Sequence, residues 1–250
     1  MTALQAEWTK LRTVRSTTWA LLAILASTVV IGGVSASTSH PDVVPNEDVV
    51  MIVLAGVYLA QVAAVAFGVV AICSEYSSGT IRTTFAANPR RRQVVIAKAA
   101  IVAALMLVIS AVAAVAAFSL GVAVLHGNGF TSAGGYHGLS LSDGDALREV
   151  GVAAVYPVLI ALLSLGVATI VRSTALAISA VLGVLFVPFI VAPLFPENVA
   201  NTIVYASPMA GMAAQEQGAP GDPLTGIAVT VAWAVGAMAV ALWLIARRDA

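Results

Sequence analysis

Nine side chains within one short polar stretch carry most of the recognition chemistry in this chain: Glu75, Gly79, Thr80, Ile81, Arg82, Phe85, Pro89, Arg92 and Lys98. Residues 73–98 read CSEYSSGTIRTTFAANPRRRQVVIAK, a single acid among five cations. Residue types and spacing point to docking rather than catalysis. Ser77, Ser78 and Gly79 interrupt a preceding helix. Residues 80–87 then form two short turns with Ile81 and Phe85 on one side, four apart. An apolar pair flanked by Arg82 suits a groove on a partner protein. Pro89 ends the turns, because the residue before a proline avoids the helical region. Glu75 is expected to pair with Arg82 or Arg92 and so to fix the angle of the stretch. A solvated boundary acid, and arginines that merely set topology, are the plainer alternatives.

The elements around this stretch are set by composition. Hydrophobic residues make up 60% of the 250-residue chain and charged residues 10%, against about a quarter charged in soluble domains. The solvent for most of the chain is therefore lipid. A helix needs about 20 apolar residues to cross roughly 30 Å of hydrocarbon. Six segments qualify: 17–34, 49–72, 99–125, 150–171, 174–194 and 224–246, and none contains Lys, Arg, Asp or Glu. Helix is required there, since every backbone group must be paired within its own segment. Pro157 and Pro188 each remove one helical bond and predict kinks. Gly56, Ala60, Ala64 and Gly68, spaced by four, form a stripe along which helices can approach closely.

Charge sorting orients the bundle. With the N-terminus inside, eleven of the twelve basic residues fall inside, Arg148 being the exception, and nine of the twelve acids fall outside. That distribution follows the positive-inside rule. The fold class expected is an all-α integral membrane protein with six transmembrane helices and both termini cytoplasmic. Ahead of the first span, Leu4, Trp8, Leu11 and Val14 recur at helical spacing, with Lys10, Arg12 and Arg15 available to anionic headgroups. Residues 2–15 are therefore read as an interfacial amphipathic helix on the inner surface. The apolar core that follows is too long for a cleaved signal.

Several functions are excluded or disfavoured. Neither lysine follows a glycine in a GxxxxGK[ST] pattern, so this polypeptide has no P-loop for ATP. With no ionisable groups expected at membrane depth, an ion-coupled transporter is disfavoured. His40, His126 and His137 all fall in outer loops, so no intramembrane metal or nucleophile–base site is expected. The single cysteine, Cys73, allows no intrachain disulfide. No cofactor on this chain and no nucleic-acid partner is expected.

A membrane bundle without its own energy source, yet with a docking stretch, implies an energised partner. In this light the chain resembles the permease subunits of type-2 ABC exporters, in particular the small actinobacterial ones. The resemblance runs the full length. It rests on Glu7–Arg12 with Arg15–Thr17, on Glu75, Gly79, Thr80, Pro89, Arg92 and Lys98, on Gly166 through Arg172 to Ala175, and on Tyr205–Pro208.

The resemblance implies a single transmembrane domain over residues 1–250 with residues 73–98 as the coupling loop, and residues 195–223 dipping back as a re-entrant outer segment. It also implies two copies of a separate ABC ATPase that carry ATP and magnesium, a second permease copy or a sister permease, and a bacterial plasma membrane. Arg172 marks a second inner turn. The runner-up reading is a regulatory or scaffold membrane protein that moves nothing; a lipid-modifying membrane enzyme is the third.

Overall fold

The computed structural model describes residues 15–41, 49–81, 83, 91–134, 136–214 and 223–247. Among these residues all regular structure is helical. The elements are α1 (Arg15–Thr38), α2 (Val49–Leu54), α3 (Val57–Ser77), α4 (Arg91–Gly127), α5 (Gly144–Val171), α6 (Thr174–Val191), α7 (Glu197–Tyr205), α8 (Ala210–Ala213) and α9 (Pro223–Arg247). Short 3-10 turns sit at Ser132–Gly134 and Ala192–Leu194. Six helical stretches are long and apolar enough to cross a membrane, in the places the hydropathy predicts. The expected interfacial helix, with Trp8, Lys10, Leu11 and Arg12, lies outside the described residues. Arg15 opens α1.

Helix α5 is the most buried span and runs against α3, α4 and α9. Helix α1 packs on α3 and α4. By contrast, α6 touches α3 and α5 through a thin seam: only Ala177, Val181 and Leu185 are buried, four apart along one face. Its remaining faces are apolar and exposed, as a lipid-facing helix requires. Pro157 and Pro188 sit inside α5 and α6, which continue on both sides of them.

Two members of the small-residue stripe set how closely the backbones meet. A Cβ on Gly68 would collide with the Ala161 carbonyl of α5. At Gly56, where the second span breaks into α2 and α3, it would lie 2.5 Å from the carbonyl oxygens of Ser27 and Thr28 on α1. Ala60 and Ala64 between them are fully buried. The stripe is thus spent on contacts inside this chain.

Several polar side chains at depth are matched internally. The Tyr156 hydroxyl, fully buried on α5, donates to Gln61 Oε1 at 2.7 Å. Thr28, Ser164 and Thr169 each return their hydroxyl to the carbonyl four residues back. At the far end of α9 from Arg247, Thr230 donates towards the Pro208 and Gly226 carbonyls and accepts from the Gly211 N–H at 3.1 Å. Trp233 Nε1 donates to the Ala206 carbonyl at 2.9 Å. The segment from Ala206 to Ala213 therefore lies alongside the first eleven residues of α9.

The Gly- and Ser-rich stretch within residues 126–146 is tethered. Asn128 Nδ2 donates to the Ala36 and Ser39 carbonyls at 3.0 Å each. Phe130 is fully buried and meets the Tyr136 ring edge-on at 4.7 Å, while the Tyr136 hydroxyl reaches the Pro41 carbonyl at 3.2 Å. Aromatic burial and satisfied carbonyls hold a segment whose composition alone looks disordered.

Replacing Gly68 with alanine forces the α3 and α5 backbones apart. The expected cost is about 1–3 kcal/mol, a fall in Tm of roughly 2–12 °C for a domain of this size. Gly236→Ala, at a site with nothing within 4 Å, is expected to leave Tm unchanged or raise it. Thermal unfolding in a mild detergent measures both.

Candidate functional site

The polar stretch lies between the end of α3 and the start of α4. Helix α3 stops where serines compete for its carbonyls: the Ser78 N–H and hydroxyl both reach the Ser74 carbonyl. Gly79 then adopts φ +72°, a left-handed conformation that glycine enters without penalty. Helical backbone resumes at Thr80 and Ile81, and again at Thr83. The Ser78 and Thr80 hydroxyls pair at 2.8 Å, and the Thr83 hydroxyl donates to the Thr80 carbonyl at 2.8 Å. Arg82, Phe85 and Pro89 lie outside the described residues.

Glu75 does not pair with Arg82 or Arg92 as its position in sequence suggested. Lys98 Nζ donates to Glu75 Oε1 at 3.0 Å, with the two side chains 2% and 9% exposed respectively. Helical periodicity explains the choice. Helix α4 begins at Arg91, so Val94, Lys98, Ile101 and Val102 share the face turned into the bundle, and all four are buried. Arg92 falls on an exposed face of the first turn. Lys98 is six residues further along, about 9 Å higher at 1.5 Å per residue.

The expectation that the spans hold no buried ionisable group is thereby corrected. The helices extend past the purely apolar cores and carry an opposed carboxylate and ammonium into the bundle. Such a pair is retained in a low-dielectric site only because each charge answers the other.

Ile81 is a second correction. It is buried in the main apolar core, so it closes the underside of the bundle and does not face a partner. Gly79 and Thr80 are exposed at the same end.

Arg172 contacts the residue that follows Glu75. It caps α5 in the left-handed region, φ 58° and ψ 21°, the one non-glycine residue with positive φ among those described. Its guanidinium lies 5.5 Å from the centre of the Tyr76 ring, within the range of a cation–π contact. Tyr76 immediately follows Glu75, on the last turn of α3; its place beside the polar stretch was the available signal in the sequence. The structure thus joins Glu75 to Lys98 and Arg172 to Tyr76, and Arg92 is in neither pair.

A groove of about 600 Å³ opens on the other side of α6. Ser179, Gly183 and Val187 of α6 form one wall, and Ser207, Pro208 and Trp233 the other. Its lining is almost wholly apolar.

Comparison with protein families matches residues 4–250 to the model described as ABC-2 family transporter protein. Comparison with curated proteins gives no match.

Glu75→Ala leaves the buried Lys98 without its carboxylate, at an expected cost of about 3–5 kcal/mol. The double variant Glu75→Leu/Lys98→Met, apolar and of similar volume, is expected to recover most of that loss. Differential scanning of the purified chain in detergent reads both.

Proposed function

Because this chain belongs to the ABC-2 family of transporter proteins, as a multi-pass membrane permease subunit, we propose that it forms one half of the substrate pathway of an ATP-driven exporter. A separate ATPase subunit docks on the coupling loop of residues 73–98 from the cytoplasmic side. Two such ATPases, carrying ATP and magnesium, work beneath two permease halves. The partner half is a second copy of this chain or a sister permease. Both termini face the cytoplasm of a bacterial cell, as the sorting of basic residues favours.

The observation that carries this reading is the ion pair Glu75–Lys98. It joins the two stems of the loop within the bundle, so that residues 76–97 leave and return at one fixed point. A loop whose ends are held can move the helices it joins when a partner pulls on it. A loop that merely crosses between spans needs no buried charge at its base, where an apolar pair costs less.

Cargo chemistry follows from the surfaces available. The groove beside α6 offers apolar walls and few polar atoms, which suits a lipophilic or amphipathic substrate. Burial of apolar area is the favourable term in such a site.

The test is co-purification of the tagged chain from its native membranes in a gentle detergent, with ATP hydrolysis assayed on the product. A P-loop ATPase is expected to accompany the wild-type chain and to be lost with Phe85→Asp or Arg82→Glu. A stable bundle with no ATPase attached would sink the exporter reading in favour of a membrane scaffold.

A further inference from the structure

We infer that Arg172 is a positioning residue that passes displacement of the coupling loop to α6 and so sets the width of the apolar groove. The inference rests on the docking reading above and extends it to named residues. Four observations converge on it.

The first is a backbone held against its preference. Arg172 occupies a left-handed conformation that favours glycine and that at a helix C-terminus glycine usually supplies. Conformations of this kind in non-glycine residues cluster at switch regions, where a side chain is worth more than local ease. Here the side chain reaches across to the Tyr76 ring.

The second is the identity of what it reaches. Tyr76 lies between Glu75, fixed to Lys98, and Ser77, the last residue of α3. Force applied to the loop arrives at this turn of α3 first. The cation–π contact ties that turn to the connection from α5 to α6, beside the direct packing of α3 on α6.

The third is the shortness of that connection. Only Arg172 and Ser173 separate α5 from α6. A change in the orientation of Arg172 therefore re-aims Thr174 and the helix it starts.

The fourth is how lightly α6 is held. Three small or medium aliphatic residues, Ala177, Val181 and Leu185, form its buried seam. A helix with so narrow a seam shifts at less cost than α5, which is buried along most of its length. Ser179, Gly183 and Val187 lie on α6 and line the groove, so motion of α6 changes the space that faces Trp233.

The experiment uses the full chain with its ATPase in lipid nanodiscs, with the buried Cys73 left in place. Spin labels are placed at Val30→Cys on α1 and Ile190→Cys on α6, both exposed positions outside the groove. Their separation is measured by electron–electron double resonance without nucleotide and after trapping with ATP and vanadate. The wild-type pair is expected to shift on trapping. Arg172→Gly, which suits the left-handed turn, and Tyr76→Leu are expected to bind ATPase at wild-type stoichiometry and to keep the wild-type Tm. Both are expected to lose most of the shift. Tyr76→Phe keeps the ring face and is expected to retain the shift.

A full shift in Arg172→Gly overturns the inference, as does loss of the shift in Tyr76→Phe. Wild-type chain that binds ATPase yet shows no shift also overturns it and leaves the docking reading intact. Wild-type chain that binds no ATPase fails at the earlier step and overturns both.

Discussion

A polar atom in hydrocarbon has no water to turn to, and this one constraint shapes every level of the bundle. It forces the spans to be helical. It sends Thr28, Ser164 and Thr169 back to their own helices and pairs Tyr156 with Gln61 across two of them. It also decides which charges survive at depth: Glu75 and Lys98 enter the bundle together, and each would be untenable alone. Apolar burial contributes little to holding helices together in lipid, because the tails outside are as apolar as the leucines within. Close contact must do more of it, which is why Gly56 and Gly68 meet neighbouring backbones directly.

Much of this was legible in the residues. Six spans can be read from length and hydropathy because the bilayer imposes a ruler on each, and the helices at Val49–Ser77, Gly144–Val171 and Leu224–Arg247 lie where the ruler puts them. The docking stretch was legible as an island, and its helical restart at Thr80 and Ile81 matches the turn chemistry of Ser78 and Gly79.

The partner of Glu75 was not legible from proximity in sequence, since Arg82 is nearer along the chain than Lys98. Spans were bounded by their purely apolar cores, which hid the fact that α4 is already helical for two turns before Lys98. Once the helix is extended to Arg91, the spacing Val94, Lys98, Ile101, Val102 places the lysine inward. Ile81 was misread for a similar reason: an apolar residue beside a cation is as apt to close the bundle as to meet a partner, and periodicity over so short a turn does not distinguish them. The tether of residues 126–146 depends on one asparagine and one aromatic pair, contacts that composition averages away.

Helix α4 runs for 37 residues, about 55 Å at 1.5 Å per residue, nearly twice the hydrocarbon it must cross. Its ionic anchor is not central. Lys98 is seven residues from one end and twenty-nine from the other, so the helix is a lever with arms of about 10 and 43 Å. A rock about that fulcrum carries the far tip roughly four times as far as the near one. That tip ends at Gly127 beside Asn128, which is bound to the α1 terminus. A small push at the loop end would thus arrive on the opposite face of the membrane magnified, delivered to the Asn128 hydrogen bonds that tie the end of α4 to α1 there.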